Sequence, residues 1–452
     1  MSDARPAVAE PAAGTTNGMA LTRGLALLLV LNGFLLNGLL SLASPASHGE
    51  TVLHHTWGTL RGEFSDDSWA TMSAAFEYVR SPHATPLYRE LFFNRHVKFQ
   101  YPPSSLLALA AMRWLAPDRI RVNEDHAGPF PSINGVLSGM FIAVIALATA
   151  ALLEQRLRQI PDFRDRPRLV LWRTGLVVAL TLTFYPVVKG FTLGNIQVWI
   201  NSMLALALLA WARDGKAAAG VLTGLSCLVK PHFGLLLVWG AVRREWRFAF
   251  AGAATCGLGF LVSVASFGWT DNADYFHALA YMARHGEAYY PNQSVNGVLN
   301  RLMSVTDPHR YNTLEFRDHA FPPFHPLVAA GTLVTSAAIL LLAVFCRARA
   351  HDRLLDLGTM LVSATVAAPI AWEHHYGVLL PVFAIVLPRA TERRAWTAWL
   401  VVSYVLASNF FAVSRLLAGS AWNLGQSYLF AGALVLLALT YALRRAAAPA
   451  TA

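Results

Sequence analysis

Two adjacent carboxylates, an isolated lysine and a Glu-His-His run are the residues of this chain best suited to move a proton and hold an anion. Asp66 and Asp67 stand in the stretch Gly62-Glu-Phe-Ser-Asp66-Asp67-Ser-Trp-Ala. A carboxylate in a partly desolvated pocket has its pKa raised toward neutrality, so it can accept a proton from an attacking hydroxyl. The same pair also reads as a helix cap. Ser65 or Asp66 would satisfy free amides ahead of a stretch from Trp69 to Val79, where Met72, Ala75, Phe76 and Val79 fall at helical spacing. Lys230 lies in the middle of the apolar run Val221 to Trp239, with no acid near it in sequence. It must snorkel to water, or find an anion or a cavity, and phosphate binding is the sharper of these readings.

Other polar groups stand at comparable points. Tyr101-Pro102-Pro103 reads as the start of a helix, with Tyr101 available to a ligand. Asn195 and Gln197, in Gly194-Asn-Ile-Gln, sit at the end of an apolar run, where they can satisfy a kinked backbone or orient a substrate. Tyr290-Pro-Asn292-Gln293-Ser294, followed by Arg301, supplies hydrogen-bonding side chains and a cation; Asn292-Gln-Ser is also a glycosylation sequon. Glu373-His374-His375 has no third ligand at zinc spacing, so imidazoles beside a phosphate or a sugar hydroxyl fit better than a metal site.

The elements that must position these groups are apolar. Of 452 residues, 55% are hydrophobic and 14% charged, with mean hydropathy +0.43, a balance expected of an all-α integral membrane protein. Cys227, Cys256 and Cys346 lie inside apolar runs and read as small buried hydrophobes. The net charge of +10 comes from short basic clusters between hydrophobic runs, which is the positive-inside pattern and excludes a nucleic-acid partner as its explanation. Runs long enough to cross a bilayer fall near 25–42, 131–153, 169–188, 196–212, 247–268, 325–346, 354–372, 396–413 and 425–443, with a shorter one at 376–388.

Placing every basic cluster inside gives one consistent alternation with both termini cytoplasmic. Residues 1–20 are then a disordered cytoplasmic tail, and 21–446 one polytopic domain. The outer face collects the 44–103 loop, the Gly194 turn, the tip at Lys230, the 270–324 loop and Glu373-His-His. Lys230-Pro231 breaks the 217–242 segment into two half-helices, and 104–116 is read as re-entrant or interfacial.

The ordered set Asp67, Leu87-Tyr88, Tyr101-Pro-Pro, Gly194-Asn-x-Gln, Lys230, Asn292-Gln-Ser with Arg301, and Trp372-Glu-His-His resembles glycosyltransferase family 87. These are polyprenol-phosphate-mannose-dependent alpha-mannosyltransferases of the GT-C superfamily. The resemblance implies a bundle of about ten to twelve transmembrane helices with outer-face loops and re-entrant half-helices. It also implies an inner-membrane location, a periplasm-facing cavity, and inverting transfer of a sugar, mannose in this family, from a lipid phosphate to an acceptor hydroxyl. Asp67 matches the first-loop acid, with Asp66 the alternative. Lys230, Arg301, His374 and His375 are then expected at the donor phosphate. Tyr101, Asn195, Gln197, Asn292, Gln293 and Glu373 are expected at sugar and acceptor. The implied partners are the polyprenyl-phosphate sugar, a glycolipid or glycan acceptor and membrane lipids. No cofactor motif occurs, and a divalent cation assisting at the phosphate is left open. A transporter or flippase of lipid-linked sugars is the alternative reading, although no pair of interrupted segments repeats in two matching halves.

Overall fold

Long apolar runs in a low-dielectric setting must satisfy their backbone groups internally, and every one of them in this chain is helical. The structure is a computed structural model and describes residues 18–43, 50–115, 132–160, 163, 166–303, 321–346, 352–417, 420 and 422–446. No strand occurs among them; the closest approach to one is a single bridge between Asn292 and Trp372. The expected tail at 1–17, the first residues of the 44–103 loop and residues 304–320 of the 270–324 loop lie outside the described residues. The first helix begins at Gly18, inside the stretch expected to be tail.

Among the described residues, five helices are long and apolar enough to cross a membrane: Gly18–Leu42, Ile133–Leu157, Trp246–Phe267, Pro326–Phe345 and Asn423–Arg445. The pair Pro167–Leu182 and Tyr185–Thr192, bent by 58°, makes a sixth if counted as one span. The other expected spans are shorter helices, such as Gln197–Ala212, Arg353–Val366 and Leu379–Ala390. Proline and glycine explain the shortening: Pro186 begins a helix after the bend, and Pro369 precedes an irregular stretch. The 217–242 segment breaks where expected, into Lys216–Cys227, a short turn at Pro231–Phe233, and Gly234–Val242.

Close packing holds the broken pieces. A Cβ on Gly220 would lie 2.2 Å from the Phe248 carbonyl oxygen, so Lys216–Cys227 packs backbone to backbone on Trp246–Phe267. Asn32 locks the first helix, donating to Ser408 Oγ (3.1 Å) and accepting from Asn409 (2.7 Å). Several arginines placed in basic clusters by the sequence are also buried ion-pair members. Arg173 forks onto Glu154 at 2.6 and 2.7 Å, and Arg243 and Arg444 both bind Asp356, at 2.7 and 2.8 Å.

These pairs sit at one end of the helices and the polar loops at the other. Gln197–Ala212 runs from Asn195 toward Arg213, Gly234–Val242 from Lys230 toward Arg243, and Leu379–Ala390 from His375 toward Arg389. The Glu-His-His run and the Lys230 break therefore share the helix ends opposite the basic clusters.

Candidate active site

The first loop is held against the turn at 192–194, far away in sequence. Ser65, Asp67 and Ser68 donate their amides to the carbonyls of Thr192 (3.1 Å), Leu193 (3.0 Å) and Gly194 (3.4 Å). Gly194 has φ +67°, and a Cβ there would fall 1.9 Å from the Ser65 carbonyl oxygen, so only glycine allows the approach. The helix Asp67–Arg80 starts here. Asp66 occupies its cap position but makes no side-chain capping bond, because the neighbouring amides of Asp67 and Ser68 are already spent on the turn. The cap reading gives the right place and the wrong interaction.

Asp67 is fixed from that turn. Asn195 Nδ2 donates to its Oδ2 at 2.6 Å. One residue on, Ser68 Oγ accepts from the Ile196 amide (3.1 Å) and bonds the Tyr101 hydroxyl (2.9 Å). Burial raises the Asp67 pKa above the ordinary carboxylate range, opposed by the Asn195 hydrogen bond and then by the charges of Lys98, Lys189 and Lys230. Burial also pushes the Tyr101 phenol up, so it stays protonated as a hydrogen-bonding group.

Asp67, Tyr101 and Asn195 form one side of a cavity of about 610 Å³, and Lys230, His374 and His375 line the same cavity. Six of the twelve site residues named from sequence therefore converge, although they come from five separated segments. Lys230 is delivered by the helix break at Pro231, which frees the chain to turn its side chain inward. Its side-chain nitrogen is in hydrogen-bonding contact with His375 Nε2, and the Trp372 amide donates to His375 Nδ1 at 3.2 Å, which puts the proton of a neutral imidazole on Nε2. No carboxylate pairs with Lys230 among the described residues. The remaining wall is apolar, with Val229, Leu235, Val238, Leu279 and Met282.

The other six named residues do not line the cavity. Arg301 is buried, donating to the carbonyls of Tyr289 (3.2 Å) and Asn292 (3.0 Å) and to Ser427 Oγ (2.7 Å). Asn292 bonds the Glu287 and Pro369 carbonyls and the Ala371 amide, and Gln293 bonds the carbonyls of Tyr290 and Gln426. These three tie the second large loop to the bundle, because a buried irregular backbone needs side chains to satisfy it. Gln197 reaches Asn201 (2.8 Å), which donates to the His374 carbonyl (3.2 Å), so it supports the site from behind. Glu373 points away from its neighbours, accepting from the Tyr185 hydroxyl at 3.1 Å, and Asp66 is buried outside the cavity wall.

Sequence reasoning missed Lys98, Gln100 and His232, which line the cavity, and Glu287, which stands behind it. Lys98 and Gln100 lay within reach, three and one residues before Tyr101. Among the described residues no group of three or more His, Cys, Asp or Glu side chains is placed to hold a metal ion.

The sequence model of glycosyltransferase family 87 matches residues 99–372, more than half of the chain. The chain belongs to glycosyltransferase family 87. The family 87 match begins after Asp67 and ends at Trp372. A polyprenol-phosphate-mannose-dependent alpha-(1-2)-phosphatidylinositol mannoside mannosyltransferase of Mycobacterium tuberculosis is 23% identical over 301 residues, 64% of this chain and 62% of that protein. Its counterpart of the same name in Mycolicibacterium smegmatis is 23% identical over 312 residues, 66% of this chain and 63% of that protein. The match thus spans less than two thirds of the length of both relatives.

Proposed function

We propose that this protein is a membrane glycosyltransferase that moves a sugar, mannose, from a polyprenyl-phosphate donor to a hydroxyl of a lipid or glycan acceptor. The reaction inverts the anomeric carbon. The observation that carries the reading is that a buried carboxylate, Asp67, and a lysine with no carboxylate partner among the described residues, Lys230, line one cavity. Asp67 takes the proton of the acceptor hydroxyl as that oxygen bonds the anomeric carbon. The bond from that carbon to the phosphate oxygen breaks, and the electron pair leaves with polyprenyl phosphate.

Lys230, with His375 against its side-chain nitrogen and His374 beside it, faces the negative charge that grows on the leaving phosphate. Preorganised charge of this kind acts most strongly in a water-poor cavity. Asn195 keeps the base oriented, and Tyr101 contributes a neutral hydrogen bond. The apolar wall from Val229 to Met282 suits the isoprenoid chain, whose burial supplies binding energy remote from the reacting bond. The cavity stands at the helix ends opposite the basic clusters, which under the positive-inside rule supports a site on the outer face of the inner membrane with both termini cytoplasmic.

The test is transfer of radiolabel from polyprenyl-phosphate mannose to a membrane extract by the purified protein in lipid. Asp67→Asn is expected to lower turnover by at least about a hundredfold, the usual scale for losing a general base, and Asp66→Asn to spare it. Turnover that survives Asp67→Asn would remove the assigned base.

A further inference from the structure

Glu287 is one of the most deeply buried acids in the chain and does not line the cavity, yet its carboxylate gathers three side chains that do. Oε1 accepts from Lys98 Nζ at 2.5 Å and from Gln100 Nε2 at 3.4 Å, and Oε2 accepts from the Trp372 indole at 2.7 Å. The Lys98 ammonium also lies 5.0 Å from the Trp372 ring centroid. Glu287 itself is pinned: its amide donates to Asn296 Oδ1 (3.2 Å) and its carbonyl accepts from Asn292 Nδ2 (2.9 Å). Gly286 precedes it with φ +60°, where a Cβ would fall 1.5 Å from Asn296 Oδ1.

We propose that Glu287 is a positioning residue that fixes Lys98, Gln100 and Trp372 as one rigid wall of the cavity, and that this wall reads the hydroxyls of the transferred pyranose. The inference rests on the glycosyltransferase reading above and names a specificity determinant within it. The two cations of the cavity differ in their partners. Lys230 contacts the His375 imidazole and has no carboxylate partner among the described residues, whereas the charge of Lys98 is already matched by Glu287. A phosphate therefore settles at Lys230. The Lys98 wall offers N–H donors beside an indole face, a combination suited to a neutral polyol with polar edges and an apolar C–H face. A carboxylate behind three such groups removes their rotamer freedom, which is what discrimination between stereoisomers needs.

The test compares polyprenyl-phosphate mannose with polyprenyl-phosphate glucose as donors for the full-length protein in lipid. Glu287→Gln keeps an acceptor for the indole but sets an amide against the Lys98 ammonium. Its donor KM for mannose is expected to rise about tenfold, the scale of one or two lost sugar hydrogen bonds, with kcat changed much less and the mannose-over-glucose ratio of kcat/KM reduced. Trp372→Phe retains a ring, loses the N–H and leaves the Lys98 pair intact. It should lower the same ratio and serves as the second readout if Glu287→Gln does not fold. A ratio unchanged in a folded variant overturns the wall while leaving the glycosyltransferase reading intact. Failure of the wild type to use either donor overturns both.

Discussion

Asn195 donates its side-chain amide to Asp67 Oδ2 at 2.6 Å, and its own Oδ1 accepts from the Gln197 amide at 2.8 Å. The residue that orients the proposed base is thus itself held by the first turn of the next helix. Its hydrogen bond is also the largest influence opposing the burial that raises the Asp67 pKa. Removing it by Asn195→Ala should push that pKa further up. Because the base acts when deprotonated, activity falls as pH drops through its pKa, so the acid limb of the kcat/KM profile should shift to higher pH in the variant. A limb that stays in place, or moves down, would show that the titrating group is not Asp67.

Gly194→Ala attacks the same geometry through the backbone. The left-handed φ costs a residue with a Cβ about 1–2 kcal/mol, and the Cβ would in addition meet the Ser65 carbonyl oxygen at 1.9 Å. The neighbour is backbone and has nowhere to rotate, so the first loop must move and carry Asp67 with it. The expected outcome is a lower Tm together with turnover reduced to the level of Asp67→Asn. Wild-type activity in this variant would mean that the 65–68 to 192–194 pairing does not position the acid.

Arg301 and Lys230 look alike in sequence, each a cation in a polar interruption, and the structure separates them. Arg301 bonds two carbonyls and a hydroxyl within the fold, whereas Lys230 faces the cavity. Arg301→Gln should destabilise by about 3 kcal/mol, since hydrogen bonds to a charged group are worth about 1.5–3 kcal/mol each and part of the set is kept. The donor KM of the folded fraction should not change. Lys230→Met should do the reverse, raising donor KM with little loss of Tm. Thermal melts and donor titrations on the two variants check this; a donor KM raised by Arg301→Gln would return that residue to the phosphate.

That contrast shows what the sequence could reveal. A charge inside an apolar run announces a cavity, because only a cavity or a partner makes it tolerable, and Lys230 was legible for that reason, whereas Asp67 and the paired histidines stood out as polar groups in the loops between apolar runs. The identity of a partner is not announced. Lys98 and Glu287 are 189 residues apart, and nothing local marks them as a pair. Arg243 and Arg444 were legible as loop charges but not as joint ligands of Asp356. Hydropathy sums over proline, whereas the backbone bends at it, so the apolar run at 169–188 is a bent pair of helices meeting ahead of Pro186.

Glu373 gives the last test, because its setting opposes its charge. Burial lifts its pKa to about 7, with the Lys189 charge pulling the other way. The folded state therefore binds this proton more tightly than the unfolded chain, whose carboxyl has the ordinary value of 4.5. Stability from this group is fully present below about 4.5, declines as pH rises toward 7 and levels off above it, a loss of about 3 kcal/mol in all at about 1.4 kcal/mol per pKa unit. Glu373→Gln keeps an acceptor for the Tyr185 hydroxyl and removes the ionisation. The variant should match the wild type at pH 4 and exceed its Tm at pH 8, with unchanged donor KM, since Glu373 lies outside the cavity wall. Parallel Tm-against-pH curves for the two proteins would show that Glu373 stays ionised in a hydrated setting, and a raised donor KM would restore it to the sugar site.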